Sequence, residues 1–329
     1  MRVLDLSRLL PGPYATLVLS DLGADVVKIE DPDPGDYLRD VSPGMFAALN
    51  RGKRSAVLEL RSAEGKAQLR RLAEHADVLV ESFRPGVLER LLPPPWPERL
   101  VVCRISAFGQ TGPWRDRAGH DIGCLALSGV LGRNAGLPLL LLADLFGGAQ
   151  QAVVAVLAAL LERGRTGKGR LVDVSLTDGA TGLLLPHLNE PAEAVAALDG
   201  SRPCYRIYTC ASGAYALGAL EPKFWLRFCE AVEKPSWAAR GYDAALTPEV
   251  SALFATRTRD AWAALLHPAD CCGEPVLEPA ELREHPLFAA RGLYAGDLPR
   301  TFPALSVEIP LSPAPGRGEH TAAVLRDWA

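Results

Sequence analysis

The sequence predicts an α/β protein in which a parallel sheet with crossover helices is followed by a second, smaller unit. Short β-branched runs alternate with amphipathic stretches over roughly the first 180 residues, as they do in parallel sheets. A strongly apolar segment after Phe146 is typical of a helix inside such a unit. The composition then changes after Gly179, and a β-hairpin pattern follows.

Several runs are predicted to form the strands of the parallel sheet. They are rich in Val, Ile and Leu, and each is followed by a segment that is polar or contains Gly or Pro. Their ranges are 3–6, 25–30, 55–60, 77–81, 100–105 and 171–175.

Two segments between these strands are predicted to be helices. Residues 62–76 begin at an N-cap serine and put Leu69, Leu72 and Ala73 on one face, so this helix should pack on the sheet. Residues 147–163 are apolar on nearly every face, which favours an interior helix.

The second unit follows an Ala-rich and Glu-rich stretch, residues 189–199, which is interpreted as a helical linker. Residues 205–209 and 215–219 predict a β-hairpin, and Pro222 is suited to the first turn of the helix after it. The Pro-rich residues 303–315 predict an extended connection that leads to a short terminal helix near Ala322.

The bulk composition excludes several classes of protein. Hydrophobic residues make up 48% and charged residues 22%, which are ordinary globular values. The formal net charge of −4 lacks the positive field of nucleic-acid binders, so no nucleic-acid partner is predicted. The odd number of cysteines, 7, and the lack of a CxxC pair disfavour a secreted disulfide framework and a metal site.

Targeting and membrane signals are not found in the sequence. The N-terminus is typical of a first strand, and apolar runs such as 152–161 stop short of the roughly 18 residues that cross a bilayer. The expectation is a cytoplasmic protein with no membrane partner.

Basic residues are unusually frequent in the loops that follow predicted strands. In open α/β sheets ligands bind beyond the carboxyl ends of strands, so these side chains could meet one phosphate-bearing ligand. The alternative is that these basic side chains are solvated surface charges with no ligand. The candidate binding residues are Arg39, Arg51, Lys53, Arg84 and Arg104, with Phe108 and Gly109 beside the last.

A second set of residues could carry acid/base chemistry. His120, between a glycine and Asp121 at a predicted helix start, could be a base or part of a capping motif. Asp144 follows an apolar run and precedes two glycines, where it could be a catalyst held by N–H donors or only an N-cap. Glu221, before Pro222, could cap its helix or extend a polar network.

The nucleotide-binding motifs of other α/β proteins are not matched. Pro11-Gly12-Pro13 follows the first strand where a GxGxxG would stand, which disfavours a nicotinamide site. Residues 164–169 resemble a phosphate loop only superficially and favour the C-terminal turn of a helix.

Taken together, these stretches resemble the family III coenzyme A transferases, and within that superfamily most closely the alpha-methylacyl-CoA racemases. The resemblance rests on PGPYATLVLSDLGADVVKIE, PGDYLRD, NRGKRS, ESFRPGVLERL, FGQTGPWRDRAGHDI, RTGKGRLVDVSLTDG, YALGALEP and EHPLFAARG, and on Asp144 with GG behind it. These segments are collinear from Met1 to about Gly292.

The resemblance implies a Rossmann-like large domain and a smaller α+β domain in an interlocked homodimer. The implied boundaries are 1–185 for the large domain, completed by about 305–329, and 203–292 for the small domain. Residues 186–202 and 293–304 would be the linkers between them. The basic residues at the strand ends would then bind coenzyme A, which enters as part of the substrate, and no other cofactor is expected.

The resemblance also implies two chemistries. In the transferases the residue matching Asp144 attacks the thioester and forms an aspartyl anhydride. In the racemases it is one acid/base, the residue matching His120 is the other, and the one matching Glu221 lies close to that histidine. Because this chain has all three, with Asp121 as an orienting neighbour, epimerisation of a 2-methylacyl-CoA is favoured. A CoA transferase and a non-catalytic CoA-binding protein are the alternatives.

The chain departs from the racemase pattern in three ways. The connection from His120 to Asp144 is short, Cys124 stands where an aromatic residue is expected near the acyl chain, and the linker around residues 189–200 is trimmed. The shortened loops are typical of a compact, thermostable protein, and an altered acyl pocket is the alternative.

Overall fold

The computed structural model describes residues 1–133, 136–188, 190, 198–301 and 312–328. It divides the chain into two compact units, one of Met1–Leu185 with Ala289–Ala329 and the other of Pro186–Phe288. Most of the predicted linker 189–199 and of the Pro-rich connection 303–315 lies outside the described residues.

A six-stranded parallel sheet forms the centre of the first unit, in the order β3-β2-β1-β4-β5-β6. The predicted strands are confirmed with small shifts at their ends. They are β1 Arg2–Asp5, β2 Asp25–Glu30, β3 Arg54–Val57, β4 Val78–Glu81, β5 Val101–Ser106 and β6 Leu171–Ser175. The strand order reverses between β1 and β4, as in Rossmann-like sheets, and ligands bind at such a switch point.

Helices follow the strands and cover both faces of this sheet. In chain order the helices of the two units are α1 Pro11–Asp21, α2 Leu38–Val41, α3 Pro43–Asn50, α4 Ala63–Glu74, α5 Val87–Leu91, α6 Asp121–Leu127, a π-helical segment Ala143–Gln150, α7 Gln151–Thr166, α8 Leu176–Thr181, α9 Pro222–Ala231, α10 Thr247–Phe254, α11 Arg259–Leu266, α12 Pro286–Ala290 and α13 Thr321–Asp327.

Side-chain alternation along each strand builds two cores. Val3 enters one cluster together with α1 and α7, whereas its neighbour Leu4 enters the other with Leu69 and Leu72 of α4. The predicted apolar face of α4 is therefore confirmed, and α13 closes the same side through the buried Val324.

The long helix after residue 142 packs on the sheet through one face. The π-helical segment and α7 run together as Ala143–Thr166, which is long and apolar enough by length and composition to cross a membrane. One face, including Val153 and Val156, is buried on the sheet, as in the core helices of globular proteins. The prediction of a core helix is therefore confirmed, although the opposite face is open, with Val154 and Leu161 exposed.

The second unit is a small antiparallel sheet with helices on one face. Strands β7 Tyr205–Thr209 and β8 Ala214–Gly218 form the predicted hairpin, and β9 Gly273–Pro275 pairs with β8. Its core contains a group of aromatic rings, namely Tyr208, Tyr215, Phe228, Phe254 and Trp262. Helix α9 begins at Pro222 as predicted.

The region predicted as the returning linker, 293–304, includes regular structure. Strands β10 Tyr294–Ala295 and β11 Leu298–Pro299 pair there as a short antiparallel hairpin of the first unit. A backbone hydrogen bond from Arg300 to the carbonyl of Leu293 closes it.

Candidate active site

Asp144 lies in the first turn of the π-helical segment, where its side chain is half-buried. Its backbone N–H donates to Oδ1 of Asp121 at 2.9 Å, and Asp121 is itself buried at the start of α6. The carboxylate of Asp144 has no hydrogen bond or ion pair with any described residue. Asp144 is therefore not an N-cap, and the N–H donors that the sequence led us to expect around its carboxylate are not supplied by the described residues.

The pKa of Asp144 is raised from 3.8 to about 7, first because burial disfavours its charged form and second because the Asp121 carboxylate repels it. A carboxyl group with this pKa is close to half ionised at neutral pH. It can therefore accept and donate a proton under the same conditions, which suits acid/base catalysis.

His120 precedes Asp121 directly and occupies the N-cap position of α6. Its side chain makes no capping hydrogen bond, is exposed, and has no polar partner within the described residues. The imidazole is therefore free of partners among the described residues. His120 is also the sequence neighbour of Asp121, whose carboxylate accepts the hydrogen bond from the Asp144 backbone.

Two glycines fix the segment that carries Asp144. A Cβ atom on Gly147 would overlap the carbonyl oxygen of Leu176, and one on Gly179 would overlap the carbonyl oxygen of Gly147. The π-helical segment and α8 are therefore in direct backbone contact, which only glycine permits at these two positions.

Cys124 lies between this centre and α8. It is fully buried on α6, its Sγ is 3.7 Å from the carbonyl oxygen of Ala107, and Oγ1 of Thr177 donates to the same oxygen at 2.8 Å. Burial raises the pKa of the Cys124 thiol, and Asp144 and Asp121 act in the same direction. The thiol therefore stays protonated, which disfavours a nucleophilic role for Cys124.

Glu221 belongs to the second unit. It is exposed at the N-cap of α9 and makes no side-chain capping bond, although its charge contributes to the raised pKa values of Tyr242 and Cys272. The capping alternative for Glu221 is thereby excluded, and its catalytic role stays a prediction.

Four of the predicted phosphate-binding cations are engaged inside the fold. Three are buried: Arg51 pairs with Asp21 at 2.5 Å, Lys53 with Asp5 at 3.0 Å and Arg104 with Glu81 at 2.9 Å. Arg39, which is only partly buried, pairs with Glu30 at 2.7 Å and stacks over Phe46. A buried charge is stable only beside an opposite one, so carboxylates hold these four cations in the fold, and their role in ligand binding stays a prediction.

Arg84 differs from those four. It is exposed after β4, and its side chain has no ion pair or hydrogen bond among the described residues. Guanidinium nitrogens of Arg90 and Arg115 each lie 3.8 Å from the position that a Cβ atom on Gly86 would take, two residues from Arg84. Arg90 and Arg115 therefore both approach Gly86, and Arg84 precedes it by two residues, so these three arginines are called the basic cluster. Strand β4, which precedes Arg84, lies where the strand order reverses.

The sequence reasoning missed Arg90 and Arg115 because neither directly follows a strand. Arg90 lies within ESFRPGVLERL, so the resemblance contained the signal for it. Of the remaining predicted binding residues, Gly109 is buried with φ +83° and Phe108 lines a cleft. Within the described ranges there is no group of three or more His, Cys, Asp or Glu residues that could hold a metal ion.

Comparison with known proteins gives one family over nearly the whole chain. The family described as CoA-transferase family III matches residues 1–322. The chain is 36% identical to the alpha-methylacyl-CoA racemase of Homo sapiens, over 99% of this chain and 92% of the relative. It is also 38% identical to the succinate–glutarate CoA-transferase of Agrobacterium fabrum, over 56% of this chain and 52% of that protein.

A solved structure has the same architecture. The CAIB/BAIF family protein from Brucella suis matches with a TM-score of 0.84 and 28% sequence identity. The match covers 100% of this chain and 98% of the solved one.

Proposed function

The chain belongs to CoA-transferase family III, and we propose that it epimerises 2-methylacyl-CoA thioesters by proton transfer at C2. The observation that carries the proposal is the bond from the Asp144 backbone to Asp121, which joins a carboxyl group of pKa about 7 to the residue that follows the free imidazole of His120. The Asp144 carboxyl group can exchange a proton at neutral pH.

The reaction needs one group on each face of C2. The thioester acidifies the C2–H bond, one group removes that proton to leave an enolate, and the other returns a proton to the opposite face. His120 and Asp144 are proposed for these two roles, and Asp121 is proposed to orient Asp144 through the hydrogen bond that it accepts from the Asp144 backbone. Glu221 is proposed as a neighbour of the histidine in the complete enzyme.

The alternative is CoA transfer between carboxylic acids through the same aspartate. The kinship with the succinate–glutarate CoA-transferase supports it. In that reaction the Asp144 carboxylate attacks the thioester carbonyl, and a pKa of about 7 leaves only part of it ionised at neutral pH. This favours the acid/base role. A protein that binds CoA without turnover is the second alternative.

The CoA part of the substrate is proposed to bind at the basic cluster of Arg84, Arg90 and Arg115, because a guanidinium group can donate two parallel hydrogen bonds to phosphate oxygens. We also propose a homodimer in the cytoplasm. The exposed apolar face of α7 supports association with a second copy, since patches of this kind mark interaction surfaces.

Deuterium exchange tests the reaction directly. A 2-methylacyl-CoA is incubated with the protein in D2O without an acceptor acid, and label at C2 is followed by mass spectrometry and NMR. Incorporation supports epimerisation. CoA transfer that depends on an acceptor, with an aspartyl anhydride at Asp144 trapped by hydroxylamine, would establish the transferase instead. CoA binding without either reaction would establish a protein that binds CoA without turnover.

A further inference from the structure

An open cleft of about 350 Å³ lies in the first unit. Its walls are mostly apolar and include two aromatic rings, and its polar lining comes from hydroxyl and carboxyl groups. It is lined by Phe108, Thr111, Gly112, Pro113, Trp114, Leu127, Thr177 and Asp178.

The cleft is built from the same elements as the Asp144 centre. Leu127 is the last residue of α6, the helix that begins at Asp121. Thr177 lies on α8, whose backbone contacts the π-helical segment, and it shares the carbonyl oxygen of Ala107 with the buried Cys124. The wall of the cleft and the environment of Asp144 therefore meet at Cys124, which is small.

The exposed side chains at the cleft are unusual for a surface. Trp114 is 41% exposed and Leu127 is 58% exposed, although both are large and apolar. Pockets for small ligands combine such apolar walls with a few polar groups, whereas surfaces that bind nothing rarely group exposed apolar side chains.

We propose that this cleft receives the acyl tail of the thioester, and that Trp114 and Leu127 select an apolar tail of medium length. The inference rests on the proposed function and specifies its substrate class. The cleft volume of about 350 Å³ lies at the low end of the roughly 300–1,000 Å³ typical of ligand pockets, which suits an eight-carbon chain better than a sterol side chain or a two-carbon stub.

The test compares C2 exchange for 2-methylbutanoyl-, 2-methyloctanoyl- and 2-methylhexadecanoyl-CoA. In the native protein kcat/KM should be highest for the octanoyl substrate. Leu127→Trp fills the cleft, so the ratio of octanoyl to butanoyl kcat/KM should fall roughly tenfold or more, which is the scale of a few misfitted methylenes. Trp114→Ala lengthens the cleft and should raise the hexadecanoyl-to-octanoyl ratio by a similar factor.

Leu226→Ala is the matched control, because it truncates an exposed apolar residue on α9 in the second unit. It should leave both ratios as they are in the native protein. Exchange with unchanged ratios in Leu127→Trp and Trp114→Ala would overturn the cleft assignment while the proposed function stands. No exchange with any of the three substrates in the native protein would overturn the proposed function and the cleft assignment with it.

Discussion

Replacement of Asp121 by Asn should shift the pH dependence of catalysis to lower pH. Asn keeps a carbonyl oxygen that can accept the 2.9 Å hydrogen bond from the Asp144 backbone, but it removes the negative charge. The pKa of Asp144 is raised from 3.8 to about 7, with burial as the larger cause and Asp121 as the smaller one. Loss of the Asp121 charge should therefore lower the midpoint of the pH profile by about one pH unit, which is less than half of the rise in the Asp144 pKa.

The consequence is measurable as a rate. With a midpoint near 7, about one tenth of Asp144 is ionised at pH 6; a midpoint one unit lower raises this to about one half. Starting from the epimer whose C2 proton Asp144 removes, kcat/KM for exchange at pH 6 should rise about fivefold relative to the pH 8 value.

The assay is a pH profile of C2 deuterium exchange for each pure epimer between pH 5 and pH 9. Asp116→Asn, which neutralises an exposed aspartate five positions earlier in the chain, is the control and should not move the midpoint. A midpoint for Asp121→Asn that is unchanged, or that moves to higher pH, would refute the electrostatic coupling of the two carboxyl groups.

Four further changes separate folding from function. Asp144→Asn should raise Tm more at pH 8 than at pH 5, because a carboxyl group with a raised folded pKa destabilises the fold as pH rises through that pKa; a gain of about 1 kcal/mol corresponds to roughly 2 °C by calorimetry. Lys53→Met should lower the free energy of unfolding in urea by about 3–5 kcal/mol, because it leaves Asp5 buried and unpaired. Arg84→Ala should weaken CoA binding roughly tenfold in calorimetric titration with no change in Tm. Gly147→Ala should lower the free energy of unfolding by about 1–3 kcal/mol and reduce exchange, because its Cβ overlaps the backbone of α8; an equally stable and active variant would contradict that contact.

The parallel sheet was predictable because its strands are short apolar runs between turn residues, and parallel strands are apolar on both faces. The long helix was less predictable. Its apolar residues cover every side, and only the packing decides that Val156 faces the sheet while Val154 faces outward. Periodicity carries no information where the pattern is uniform.

The charged residues mark the limit of reasoning from the sequence. Lys53 and Arg84 both follow glycine-containing or strand-end segments, but Lys53 is buried against Asp5, forty-eight residues away in the chain, while Arg84 is exposed. A long-range ion pair of this kind leaves no local signal. The bond between Asp121 and the Asp144 backbone is equally non-local, so the sequence identified both residues without predicting how they couple.

The most direct measurement removes one base at a time. His120→Gln and Asp144→Asn are each incubated in D2O with pure (2R) and pure (2S) 2-methylacyl-CoA, and epimerisation and C2 label are followed separately. If His120 and Asp144 act on opposite faces, neither variant epimerises, and each still exchanges the C2 proton of one epimer, the (2R) in one variant and the (2S) in the other. Loss of exchange from the same epimer in both variants, or epimerisation that survives either substitution, would contradict the two-base account.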